Sequence, residues 1–157
     1  MTDWACLFIA DLHAGAREAV TPKPVTPIQE LLLAHWRQCV KDVKAAVKGY
    51  GLSLNLGGDL VEGNHHDHYT GLTHKEMREL ALELFRPYAN MADAIYSVGG
   101  TEAHAGMEAE DDAQVAKEMG CKPEHMGWSH RIRYNGRLLD WEHHGASVSK
   151  LPWNETN

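Results

Sequence analysis

No apolar run in this 157-residue chain approaches the roughly 18 residues that a membrane-spanning helix needs. The apolar stretch Trp4 to Ala10 follows Asp3 rather than a basic segment, so no export signal is expected and a cytoplasmic location is. Three cysteines, Cys6, Cys39 and Cys121, are odd in number and far apart. They argue against a disulfide framework and a Cys-based zinc site, and they suit a reducing compartment. Lysine and arginine form no cluster and the formal charge is −7, which argues against a sequence-independent grip on nucleic-acid phosphates. A His-Glu-x-x-His motif, the paired cysteines of a deaminase, a Gly-Lys-Ser/Thr phosphate loop and a serine-hydrolase elbow are all missing. There is no internal repeat and no low-complexity segment.

What is present is ordinary in bulk, with 43% hydrophobic and 24% charged residues, as in globular rather than disordered chains. A single domain over residues 1–157 is expected, burying roughly two thirds of its unfolded surface. The histidines are unusual. There are 11, and most fall in or beside four clusters, each following an apolar, strand-like run.

Those runs alternate with helical patterns. Trp4 to Ala10 reads as a strand covered on both faces. Thr26 as N-cap, Pro27 at the first helical position and Gln29 three residues past the cap predict a helix with the stripe Ile28, Leu32, Trp36, Val40, Val43, Val47, ending at Tyr50 and its flanking glycines. Leu52, Leu54 and Leu56 make a second strand. Thr73 and Glu76 form a capping-box pattern for a second helix with the stripe Met77, Leu80, Leu84, Phe85. Ala92 to Val98 is a third strand. The acidic run Glu108 to Asp112 reads as a solvated start to a short helix that stops near Gly120. Ser129 to Tyr134 and Arg137 to Glu142, joined by Asn135-Gly136, form a hairpin. The order predicts an α/β fold with ligands at the carboxyl ends of the strands.

The clusters are Asp11-Leu12-His13, then Gly58-Asp59 running on to Glu62-Gly63-Asn64-His65-His66, then Gly100-Thr101-Glu102-Ala103-His104, and last His143-His144. A carboxylate and an imidazole at a strand's end can reach one cation, because the turn frees them from the strand's alternation. A bridging carboxylate lets two cations sit about 3.5–4 Å apart and share a hydroxide. Asp59, behind two glycines, is the candidate bridge. Read alone, it is about as well explained as a turn residue or helix N-cap. Cations here would invert the local field and admit an anionic substrate despite the net charge.

These residues resemble the calcineurin-like metallophosphoesterases, whose pattern is Asp-x-His, Gly-Asp, Gly-Asn-His-Asp/Glu, an isolated His, then Gly-His-x-His. Asp11 and His13 match the first element and Gly58-Asp59 the second, while His143 or His144 matches the isolated His. Gly63-Asn64-His65-His66 looks like the third but lies too close to Asp59, and is read as a substrate-side loop. Gly100-Thr101-Glu102-Ala103-His104 stands in the third element's place and is similar to a variant of phage and prophage members. The fifth element has no counterpart. The resemblance implies a β-sandwich flanked by helices in αββα layers, with the C-terminal part of the family fold missing, and the cytoplasm of a host cell if the chain is phage-encoded.

The resemblance also implies two divalent metal ions, Mn, Fe or Zn, and hydrolysis of phosphomonoesters or phosphodiesters by an activated hydroxide. A nucleotide or nucleic acid is the favoured phosphate-ester substrate, with no membrane partner. Asp11, His13 and Asp59 would hold the first metal; Asp59, His104 and His143, or His144 in its place, the second. His104 would otherwise be the general acid, with His65 as the alternative. Asn64, His66 and Glu102 would meet substrate, and Glu62 and His68 would line the entrance. A binding or scaffold module on the same fold, catalytically weak or inactive, is the second class. His35, His74, His125 and His130 are read as surface or hydrogen-bonded residues, and Trp36 and Met77 as core.

Overall fold

A computed structural model describes residues 3–63, 71–134 and 136–143. Strand β1 (Trp4–Ile9) leads to helix α1 (Pro27–Ala46), β2 (Gly51–Leu56), α2 (His74–Ala89) and β3 (Ala94–Val98). Then come the single turn α3 (Glu102–Ala105), α4 (Glu110–Glu118), the two-residue β4 (Met126–Gly127) and the strands β5 (Ser129–Tyr134) and β6 (Arg137–Glu142). The chain is thus mixed α/β, as expected. Among the described residues no helix is long and apolar enough to cross a membrane.

The helix starts follow local chemistry. Thr26 caps α1 by accepting the Gln29 N–H at 3.3 Å, and the Gln29 side chain reaches back to the Val25 N–H at 2.9 Å. At α2 the capping box is complete, with the Thr73 N–H donating to Glu76 Oε2 at 2.8 Å and Glu76 N–H to Thr73 Oγ1 at 3.2 Å. Helix α1 ends at Ala46 with Val47 as cap, one turn before the glycines expected to stop it. Its stripe holds at Trp36, Val40 and Val43, whereas Ile28 is exposed and Leu33 is buried.

Strands β1, β2, β3 and β4 form one parallel sheet in chain order. Leu7, Ile9, Leu54, Leu56 and Ile95 share the face that meets both long helices. There Trp36 packs edge-on against Phe85 and Tyr88 and donates its indole N–H to Leu84 O at 3.1 Å, locking α1 to α2. Each fully buried leucine contributes about 2 kcal/mol. Trp36 and Met77 belong to this core, as their spacing implied.

The opposite face carries Phe8, Asn55 and Tyr96 in register. The hairpin β5–β6, a separate two-stranded sheet, meets it through Trp141 and His130, whose rings lie 5.5 Å from Phe8 and 5.7 Å from Tyr96. His130 and His125 donate to the carbonyls of Ser97 and Ile95, which agrees with their hydrogen-bonded reading. The helices and the hairpin thus lie on opposite faces of the sheet.

Candidate functional site

Asp11, His13 and Asp59 all follow strands and all adopt left-handed backbone, with φ of +54°, +47° and +49°. For residues with a Cβ this costs on the order of 1–2 kcal/mol each, so the surroundings must enforce it. They do so by pairing the two post-strand loops. The N–H groups of Asp11, His13 and Ala14 donate to the carbonyls of Gly58, Asp59 and Leu60, each at 3.0 Å. The ladder continues past the sheet, but in a conformation that turns the Asp11 and Asp59 side chains toward a common centre.

Glycine makes the approach of the third loop feasible. A Cβ on Gly100 would lie 2.2 Å from both the Asp59 nitrogen and Asp59 Oδ1, and one on Gly58 only 2.7 Å from Gly100 Cα. Asp112 then ties the loops together. Its Oδ2 accepts the N–H groups of Asp59 and Gly100, and its Oδ1 that of Leu60, all at 2.9 Å. Burial pushes the Asp112 carboxyl up to about 6; the charge of Asp59 adds to the rise, while the three N–H donors oppose it.

The expectation of a solvated acidic run is therefore overturned for Asp111 and Asp112, both buried. Asp111 pairs with Arg78 and His74, so the structural reading of His74 gains a partner. Asp112 was hidden because acidic residues suit any helix N-terminus. The available signal was its spacing to Val115 and Ala116, which places it on α4's buried face.

Asp59 is itself fully enclosed and richly contacted. Oδ1 accepts the Thr101 N–H at 2.7 Å, and the Thr101 hydroxyl lies 3.1 Å from both carboxylate oxygens. His143 brings Nε2 to 3.0 Å from Asp59 Oδ2, while its Nδ1 sits 2.6 Å from Gly57 O. A carbonyl can only accept, so Nδ1 carries a proton and the Nε2 of neutral His143 would turn its lone pair toward a carboxylate. That contact is favourable when a proton or a cation occupies the His143–Asp59 axis.

Two more imidazoles approach from the other side. His104 donates Nδ1–H to the Glu62 carbonyl at 3.0 Å, which makes Nε2 its basic nitrogen. His13 Nδ1 lies 3.0 Å from Glu62 Oε2, and the His13 and His104 rings meet edge to face at 4.3 Å. Glu62 therefore orients one histidine with its main chain and faces the other with its side chain, a role beyond the entrance lining read from sequence.

Among the described residues the donor atoms fall into two groups with internal separations within 4.8 Å: His13, Asp59 and His104, and Asp11, Asp59 and His143. Asp59 belongs to both. The expected partition put Asp11 with His13 and His104 with His143; around Asp59 the donor atoms group Asp11 with His143 and His13 with His104, while His13 Nε2 still lies 3.9 Å from Asp11 Oδ1. Glu102 is exposed at the start of α3 and enters neither group. Asn64, His65, His66, His68 and His144 lie outside the described residues. His35 is exposed on α1, in keeping with a surface role.

No protein-family model matches the chain, and no curated protein matches it. The class that fold and site define is thus structural: a parallel α/β sheet whose carboxyl edge gathers aspartates and histidines from successive loops.

Proposed function

We propose that this chain is a metal-dependent phosphoesterase resembling the calcineurin-like class, hydrolysing phosphomonoesters or phosphodiesters with two divalent ions, Mn, Fe or Zn. The observation that carries the reading is Asp59, a buried carboxylate shared by two Asp/His groups that come from different loops. The donor set fits such ions: hard carboxylate oxygens and imidazoles, with His104 and His143 held by carbonyls in the tautomer that leaves Nε2 as a ligand atom. On this reading His13, Asp59 and His104 would hold one ion, and Asp11, Asp59 and His143 the other. The ions would supply Lewis acidity, withdrawing charge from phosphoryl oxygens and lowering the pKa of a bound water to about 7.

The chain's own residues perform the remaining tasks. Asp112 and Gly100 fix the loops, so that Asp59 meets its partners without reorganising. The Glu62 carbonyl orients His104, and the Glu62 carboxylate lies 3.0 Å from His13 Nδ1. A His104 left outside an ion's shell would act as general acid in its imidazolium form, giving the Nε2 proton to the leaving oxygen and returning to the neutral ring whose Nδ1–H stays on Glu62 O. Location in a cytoplasm and a nucleotide or nucleic-acid substrate belong to the same proposal.

One observation favours the catalytically weak binding module. Thr101 directs its hydroxyl at both Asp59 oxygens, competing for the lone pairs that an ion would use. Elemental analysis joined to bis-p-nitrophenyl phosphate hydrolysis with added Mn separates the readings. Stoichiometric metal with Mn-dependent turnover is the expected result. Metal without turnover selects the binding module, and no retained metal removes both.

A further inference from the structure

Beside the Asp11–Asp59–His143 group the surface sinks into a groove of about 340 Å³ between the end of β1 and the end of β6. Phe8, Ala10, Asp11 and Gly57 line it together with Trp141 and His143. The volume lies at the lower end of the range for small-molecule sites, enough for one planar ring system rather than a polymer.

Two features make this groove more than a crevice. Phe8 and Trp141 present nearly perpendicular rings, interplanar angle 86°, so a planar guest can meet a ring face of one and an edge of the other. Phe8 is also 45% exposed, whereas its strand neighbours Leu7 and Ile9 are partly buried against the core. An aromatic left open beside a polar centre gains from a ring stacked on it, and stacking tolerates any base because every base has a π-face. The groove's charge narrows the choice further. Its lining carries the carboxylates Asp11 and Glu142 and no lysine or arginine, which suits a neutral ring better than a second phosphate.

We propose that this groove is the subsite for a planar aromatic group of the phosphate ester, a nucleobase or a similar aryl ring, with the phosphate toward Asp59. The assignment rests on the phosphoesterase reading for its orientation. Ring recognition itself depends on Phe8 and can be measured without turnover.

The test is the ratio of affinities for AMP and glycerol 2-phosphate, measured by calorimetry with Mn present, in the parent chain and in Phe8→Ala and Phe8→Leu. Leucine keeps the bulk and removes the ring, so it guards against a folding defect in the alanine variant. The parent should prefer AMP, and both variants should lose that preference about tenfold, as expected for one lost stacking partner. A parent without preference for AMP, or a ratio unchanged in Phe8→Leu, overturns the subsite. A parent that prefers AMP through Phe8 yet hydrolyses no ester overturns the phosphoesterase reading and retains the ring site.

Discussion

Asp112, in the first turn of α4, accepts the main-chain N–H of Asp59 at 2.9 Å across 53 residues of sequence. The same carboxylate holds Gly100 and Leu60, so one buried side chain sets the spacing between the loops after β2 and β3. Replacing Asp112 with Ala strands three buried N–H groups. The expected loss is about 3 kcal/mol or more in urea unfolding, because each orphaned donor costs on the order of 1–3 kcal/mol. A loss under about 1 kcal/mol would show that water serves these donors instead.

Protonation of Asp112 gives a pH signature. Burial holds the folded Asp112 carboxyl at about 6, above the ordinary aspartate value of about 3.9, so the folded chain binds this proton more tightly than the unfolded one. Asp112's contribution therefore falls as pH rises from about 4 to about 6, by an amount on the order of 3 kcal/mol. Unfolding free energies of the parent and of Asp112→Asn, compared across that window, should differ in slope in this sense. Parallel curves would refute the assignment.

Gly100 and Gly120 separate close approach from backbone strain. Alanine at Gly100 drives a methyl into the Asp59 nitrogen and carboxylate, with an expected cost of about 3 kcal/mol or more and loss of any bound metal. Alanine at Gly120, at φ +92° with open space around it, should cost about 1 kcal/mol. Thermal unfolding of the two variants checks the order, and equal costs would mean that the loops can separate freely.

Asp59→Asn is expected to weaken Mn retention and phosphodiester turnover by at least about a hundredfold, since it removes a ligand shared by both proposed ions. His35→Ala, on the exposed surface of α1, should change neither. Inductively coupled plasma analysis alongside the hydrolysis assay reads both, and equal effects from the two substitutions would discredit the proposed centre.

Thr73→Ala tests a feature remote from the site. Losing the capping box of α2 should cost about 1 kcal/mol while leaving metal content as it was. A larger loss would indicate that the cap also anchors the loop before it.

Much of the architecture was legible along the chain. The caps at Thr26 and Thr73, the alternation of Leu52, Leu54 and Leu56, and the hairpin limits at Ser129 and Glu142 are local signals, and the structure follows them within a few residues. The short α3 and the two-residue β4 carried no such signal, because each is held by its neighbours rather than by its own periodicity. At the candidate site, the chain showed which residue types end each strand but not how they pair across loops.

Residue order alone determined the α/β class, the helix starts and the position of Asp11, His13, Asp59 and His104 immediately after apolar runs, since caps and periodicity act over only a few residues. Tertiary structure decided the rest. It grouped Asp11 with His143 and His13 with His104 around Asp59, buried Asp112 beneath Asp59, and set Phe8 against Trp141. Those outcomes depend on loop approach, backbone forced to positive φ and the need to satisfy buried N–H groups, constraints that exist only once distant segments are packed together.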